Sequence, residues 1–241
     1  NLKYISVVGT NGKYSTIQAI RAILKDANIN CNVYTSPHIQ KINERYEYNN
    51  QEINDEELSR LLLKVKEINN NDTITYFEIL TAAFFYEANK YKDNINIIEA
   101  GLFHKFDATN IIKSNLASVV TAIGLDHLDW LPKNEQTIDK IIFEKTSSLL
   151  NSKIIVSKQS SNEILNKIKN SIKENPSKKL IFGNDFNYLL HENGFFYYED
   201  KYGSLKLPLP NLEGEFQLSN VSTAIATARN IKEINISDEN I

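Results

Sequence analysis

A chain of 241 residues, 41% hydrophobic and 24% charged, has room for one large α/β domain or two small ones and enough apolar content for a buried core. A formal net charge of -3 and a pI near 5.9, with lysines and acids interspersed, exclude a sequence-wide attraction to nucleic acid. One cysteine, Cys31, excludes an intrachain disulfide, and no apolar run reaches the length of a transmembrane helix, so the expected setting is a reducing cytoplasm without membrane or nucleic-acid partners.

The apolar run at residues 4–8 reads as a first strand, followed by a helix over 15–27 with Ile17, Ile20, Ile23, Leu24 and Ala27 on one face. A strand at 31–34 comes next, with Cys31 as a small apolar strand residue. Helices follow at 55–68, where Asn54 and Glu57 form a capping box, and at 76–91. Strands at 95–100 and 117–123, a helix at 135–150, a strand at 153–157, a helix at 162–173 and a strand at 179–182 continue the alternation. Strands separated by helices predict an α/β fold with a mostly parallel sheet covered on both faces. Between 184 and 212, short runs broken by Gly and Pro predict a small antiparallel meander, and a last helix fits 217–231. The chain contains no methionine, starts inside a strand pattern and stops in a polar segment. We expect one domain, 1–241, cut from a longer protein.

The segment Gly9-Thr10-Asn11-Gly12-Lys13-Tyr14-Ser15-Thr16 follows the first strand and opens the first helix. Such a strand–turn–helix holds phosphate: turn N–H groups and the helix dipole face the anion, a lysine reaches the outer phosphates, and a hydroxyl, here Ser15 or Thr16, can serve the accompanying Mg²⁺. The order G-x-x-G-K-x-S-T departs from the usual phosphate-loop pattern at Val8 and Tyr14. The competing reading is a Gly/Asn turn with a solvated lysine.

Ligands of parallel α/β sheets bind at the carboxyl ends of strands, so the polar groups just after each strand are the candidates. These are the phosphate turn, Thr35-Ser36-Pro37-His38, Glu99 with Asp107 and Asn110, and Asp126-His127. Glu99 ends a buried-strand pattern, where a carboxylate needs a metal or cationic partner; the alternative is an acid reaching solvent. His127 beside Asp126 is weak alone, and His104 and His191 read as surface residues. Lys145 falls on the stripe Ile138, Ile141, Ile142 and Leu149. Inward burial favours its neutral amine, which can take up CO₂ as a carbamate; snorkelling at the stripe edge is the competing reading.

Taken together, Gly9–Thr16, Tyr34–His38, Asn43-Glu44-Arg45, Thr75-Tyr76-Phe77-Glu78, Asp107-Ala108-Thr109-Asn110, Gly124–Trp130, Glu144-Lys145 and Gln217-Leu218-Ser219-Asn220 resemble, in order, the dihydrofolate synthase/folylpolyglutamate synthase family of the Mur ligase superfamily. The resemblance implies ATP phosphate contacts from Thr10, Asn11, Gly12 and Lys13, with Ser15 near the phosphates and Asn220 near the adenine. It implies Mg²⁺ ligation by Ser36, Glu99 and His127, carbamylation of Lys145, and a pterin site from Thr75, Tyr76, Phe77, Glu78, Phe106, Asp107 and Ala108. The implied reaction activates a carboxylate of dihydropteroate or a reduced folate with ATP and joins L-glutamate to it, in a monomeric cytoplasmic enzyme. Two departures stand out: Tyr14 where the family has Gly, and Gly101-Leu102-Phe103-His104-Lys105-Phe106 where it reads Gly-Leu-Gly-Gly-Arg. Family members also carry a further N-terminal loop and a glutamate-binding C-terminal domain, so this chain is expected to be the ATP-binding domain and inactive alone. The alternatives are a P-loop small-molecule kinase or NTPase, and a non-catalytic nucleotide-binding module.

Overall fold

The computed structural model describes residues 2–191 and 194–241. Eight strands form the main sheet: β1 (Lys3–Val8), β2 (Cys31–Tyr34), β3 (Tyr46–Tyr48), β4 (Gln51–Glu52), β5 (Ile95–Glu99), β6 (Ala117–Val120), β7 (Lys153–Val156) and β8 (Lys178–Ile181). Their order is β4-β3-β2-β5-β1-β6-β7-β8. The six strands from β2 to β8 in that order are parallel, while β3 and β4 pair antiparallel at one edge. That edge hairpin is missing from the sequence reading. Its signal is Asn49-Asn50, both at positive φ (53° and 66°), the turn that two-residue hairpins favour.

The helices are α1 (Lys13–Asp26), α2 (Asp55–Ile68), α3 (Tyr76–Ala88), α4 (Ile138–Thr146), α5 (Asn162–Ser171) and α6 (Glu215–Asn230). The Asn54–Glu57 capping box opens α2 as expected. Helix α1 begins two residues before the expected start, because Gly12 (φ 82°) turns the chain directly into it. Helix α4 is shorter than the expected 135–150. Thr137 takes the cap by accepting from the N–H of Lys140 (3.2 Å), and the residues before it form a separate 3₁₀ turn, Lys133–Glu135. Beyond α5, β9 (Phe186–His191), β10 (Phe195–Asp200) and β11 (Gly203–Pro208) form the expected antiparallel meander, in the order β11-β10-β9.

Side-chain alternation along the strands divides the core. Ile5, Val7, Ile95, Ile97, Val119 and Ile155 face α1, α6 and the meander's Phe186, Phe196 and Tyr198. The opposite face splits in two: Val8, Val120, Ile154 and Val156 pack with α4 and α5, and Tyr34 and Ile98 pack with α2 and α3. Helices thus cover both faces, as a parallel sheet requires. Among the described residues, no helix is long and apolar enough to cross a membrane.

At the amino ends of β2 and β5 the interior turns polar. Asn32 is fully buried; its amide donates to Asn96 Oδ1 (2.9 Å), and its carbonyl accepts from Asn94 (3.0 Å) and from the N–H of Asn49 (2.9 Å). This network ties the hairpin turn to the approach to β5. Asn32→Ala strands these partners, and urea unfolding is expected to show a loss of about 2–4 kcal/mol; a loss below about 0.5 kcal/mol would mean that the partners re-pair or reach water.

Candidate active site

The chain leaves β1 towards β2 on one side and later crosses from β5 to β6 on the other, so β1 marks the switch point of the sheet. The loops after β1, β2, β5 and β6 meet there around a cleft of about 730 Å³. Thr10, Lys13, Ser36, Pro37, Asp126 and His127 line one part of it. Arg45, Thr75, Phe77, Glu78, Phe106, Asp107 and Ala108 line another, with Gly101, Leu102, Phe103 and Glu144 completing the wall.

The phosphate turn is held from beneath. The N–H groups of Thr10 and Asn11 both donate to Ala122 O (2.9 and 3.0 Å), and Thr10 Oγ1 bridges the carbonyl and N–H of Gly124 (3.2 and 3.1 Å). Two of the N–H groups expected to meet phosphate are therefore spent on the loop after β6. The opening turn of α1 remains, where helical N–H groups lack intrahelical acceptors. Gly12 is required twice over: φ is 82°, and a Cβ there would lie 2.4 Å from Asn220 Oδ1. Asn220 is thereby seated on the turn, its amide donating to Gln217 Oε1 (2.9 Å). Ser15 is half-buried in the first turn of α1, whereas Thr16 is fully buried in the helix's inner face, its hydroxyl without a partner. Tyr14 is 56% exposed and lies outside the cleft lining.

Lys13 Nζ lies 3.7 Å from Glu99 Oε1 and donates to Thr10 O (3.2 Å). The N–H of Ser36 donates to Glu99 Oε2 (3.0 Å). Glu99 is buried, not solvent-reaching, and burial raises its carboxyl pKa against the opposing pull of Lys13 and Ser36. His127, at φ 54°, lies with Nε2 3.3 Å from Asp126 Oδ2. Partial burial holds its imidazole below the usual histidine range, which favours the neutral form, while Asp126 opposes the shift. Among the described residues, no three His, Cys, Asp or Glu side chains are clustered in a metal-ligand arrangement.

Lys145 does not snorkel. It is 1% exposed, and Nζ donates to Gly9 O (3.0 Å) and Leu102 O (2.6 Å) beside the Phe103 ring (5.5 Å). Burial pushes its pKa down to about 8, with the Lys13 charge adding to the effect.

At the other part of the cleft, Phe77 and Asp107 both pack on Gly101, where a Cβ would meet Asp107 Oδ2 at 2.7 Å and Phe77 Cζ at 2.9 Å. Phe77 also lies 6.3 Å from the Tyr34 ring. Asp107 accepts from Gly101 N–H (3.0 Å), Thr109 N–H (3.0 Å) and Thr109 Oγ1 (2.6 Å), so much of its acceptor capacity serves its own loop. Thr75 and Glu78 cap α3 reciprocally: Glu78 accepts from the N–H and hydroxyl of Thr75 (2.8 and 2.6 Å). Tyr76 is 60% exposed and lies outside the cleft lining, whereas Phe106, 87% exposed, stands at its mouth.

The structure corrects the reading of His104 as a surface residue. It is 3% exposed, Nδ1 lies 2.8 Å from Ser148 Oγ, and burial drives its pKa down to about 4. The N–H groups of His104 and Lys105 both donate to Glu144 O (3.2 and 3.1 Å). No residue from 101 to 106 adopts a positive φ, so this loop needs no further glycine. His191 is exposed as expected and stacks on Phe195 at 4.5 Å. Pro37 and Asp126 line the cleft as the strand-end reading expected; the wall residues Arg45, Gly101, Leu102, Phe103 and Glu144 were not among the expected site residues, although Arg45 and Glu144 stand inside the resembling segments.

Lys145 carries a pH signature. Its folded pKa lies below the ordinary lysine value of 10.5, so between about pH 8 and 10.5 the unfolded chain binds more protons and stability rises with pH. The stability difference between wild type and Lys145→Met, read from urea unfolding, is expected to shift in favour of wild type across that window; parallel profiles would contradict the burial of its amine.

The sequence matches the Mur ligase middle domain family over residues 7–228. It is 38% identical over 141 residues to the dihydrofolate synthase/folylpolyglutamate synthase of Haemophilus influenzae, covering 58% of this chain and 31% of that protein. It is 29% identical over 225 residues to the Escherichia coli protein of the same description, covering 93% of this chain and 51% of that one. The fold superposes on the E. coli FolC structure solved with DHPP and ADP at a TM-score of 0.85 and 28% identity, covering 99% of this chain and 55% of that one. The chain thus spans about half or less of the length of these relatives. With the family match running from the end of β1 to the end of α6, over the loops that build the cleft, the chain belongs to the Mur ligase family as a middle domain.

Proposed function

We propose that this chain is the ATP-binding domain of an enzyme that joins L-glutamate to dihydropteroate or a reduced folate. The observation that carries this reading is that one cleft has the phosphate turn and Ser36, Asp126 and His127 in one part and the Phe77–Asp107 pocket in another. Nucleotide and acceptor can therefore meet inside it. The E. coli relative solved with DHPP and ADP supports the same pairing. In this reading a carboxylate oxygen of the acceptor attacks the γ-phosphorus of ATP and ADP leaves. The amine of glutamate then attacks the acyl phosphate carbon, phosphate leaves, and the amine loses a proton as the amide forms.

Lys13 and the first turn of α1 hold the phosphates, and Asn220, seated on Gly12, lies towards the adenine. The loop after β5 frames the pterin, with the Phe77 ring against the heterocycle. Ser36 and Glu99 offer hard oxygen donors and His127 a neutral nitrogen, a set that fits Mg²⁺, which when bound would offset charge on the transferring phosphoryl group. Lys145, with its lowered pKa, has the neutral amine fraction that CO₂ uptake needs, and a carbamate there would add an anionic oxygen between the phosphate turn and the loop after β5. The same reading takes the enzyme to be monomeric and cytoplasmic, with a further domain completing the nucleotide site and binding glutamate.

The test is ADP formation by the full-length protein with dihydropteroate or a reduced folate, with and without L-glutamate. Product is expected only with both, and Lys13→Ala is expected to lower the rate on the order of 100-fold or more. ADP formed at the same rate without glutamate would favour a kinase or NTPase, and nucleotide binding without turnover would favour a non-catalytic module.

A further inference from the structure

The charged side chains around the cleft are, with one exception, matched within the protein. Lys13 pairs with Glu99 and Glu144 with Lys140 (3.1 Å), and Asp126 accepts from the N–H of His127 (2.8 Å). Glu78 is taken up by the α3 cap, and Asp107 by Gly101 and Thr109. Arg45 is the exception. It is 7% exposed and lines the cleft, yet among the described residues it forms no ion pair with an acid. Its Nε donates to His38 Nδ1 (2.9 Å). Glu99 feels its charge, but the two oxygens of Glu99 already face Lys13 and the N–H of Ser36.

The backbone around Arg45 is fixed by its own loop. Arg45 O accepts from the N–H of Thr35 (3.1 Å), at the end of β2. The preceding residue, Glu44, accepts from the N–H groups of Ile39, Gln40 and Lys41 (2.8, 2.9 and 2.9 Å), which closes the loop on itself. A buried cation without an anionic partner is costly, and a guanidinium presents a fork that matches a carboxylate. Arg45 lines the same cleft as Lys13, Ser36 and Phe77, and its charge is felt at Tyr34, whose ring lies 6.3 Å from that of Phe77.

Resting on the function proposed above, we infer that Arg45 is an acceptor-binding residue: it receives the carboxylate that is to be activated and presents it towards the nucleotide. The phosphates already have Lys13 and the α1 N-terminus, so the charge of Arg45 is assigned to the acceptor and not to ATP. It thereby selects carboxylate-bearing acceptors over pterins that lack the group.

Calorimetric titration of the full-length protein, with a non-hydrolysable ATP analogue present, tests this with two probes: dihydropteroate, and its counterpart bearing aniline without the carboxylate. Wild type is expected to bind the first about 10- to 100-fold more tightly. Arg45→Gln is expected to bind the two alike, with its affinity for the ATP analogue unchanged. Retained discrimination in Arg45→Gln, or a loss confined to the nucleotide, overturns the inference. If that variant does not fold, a crystal structure of the wild type with dihydropteroate decides: the carboxylate is expected against the Arg45 guanidinium, and a carboxylate directed elsewhere overturns it. Failure of both probes to bind wild type overturns dihydropteroate as the acceptor and the inference with it, an outcome distinct from binding without discrimination.

Discussion

The amine of Lys145 is the tie on which the cleft depends. It comes from α4, beneath the sheet's carboxyl rim, and donates to one carbonyl in the phosphate turn and one in the loop after β5. Neither carbonyl has a strand partner at that point, so the two loops are joined through this side chain. Burying an amine is unfavourable for its charged form, and two carbonyl acceptors and the adjacent Phe103 ring offset part of that cost. The remainder appears as a pKa near 8, so the same burial that fixes the loops makes the amine reactive.

Around that tie the loops are sewn together by backbone groups. Ala122 O accepts from Thr10 and Asn11, Glu144 O accepts from His104 and Lys105, and Thr10 Oγ1 spans to Gly124. These contacts join β1 to β6 and β5 to α4, which confines the phosphate turn and the Asp107 loop to one geometry. The bulky residues of the loop after β5 fit this arrangement. Phe103 packs edge-on against His127 at 6.2 Å and covers Lys145. His104 is locked under the loop by Ser148. The loop is packed without left-handed backbone.

Charge placement follows the same economy. In a site of low dielectric each ion is held by a partner or by N–H groups, as Lys13 is held by Glu99 and Asp126 by the N–H of His127 (2.8 Å), before any ligand arrives. Ligands that bring phosphate must then compete with Glu99 for Lys13. A carboxylate arriving at Arg45 breaks no ion pair among the described residues.

The sequence by itself determined the order and type of most elements, because hydrophobic periodicity and capping residues act locally: β2 and α2 match their expected spans, and the meander lies within 184–212. It also placed Lys13, Glu99 and His127 at strand ends, since the carboxyl rim of a parallel sheet follows from alternation alone. The β3–β4 hairpin was missed because its strands are too short for periodicity to register, although Asn49-Asn50 marks the turn. Only the tertiary structure decided which polar groups are spent internally. The N–H groups of Thr10 and Asn11 and the ring of His104 find their partners in the loop after β6 and the turn after α4, and nothing in their local sequence distinguishes a bonded group from a free one. The charge left over at Arg45 is likewise visible only when every neighbouring ion has been paired in three dimensions.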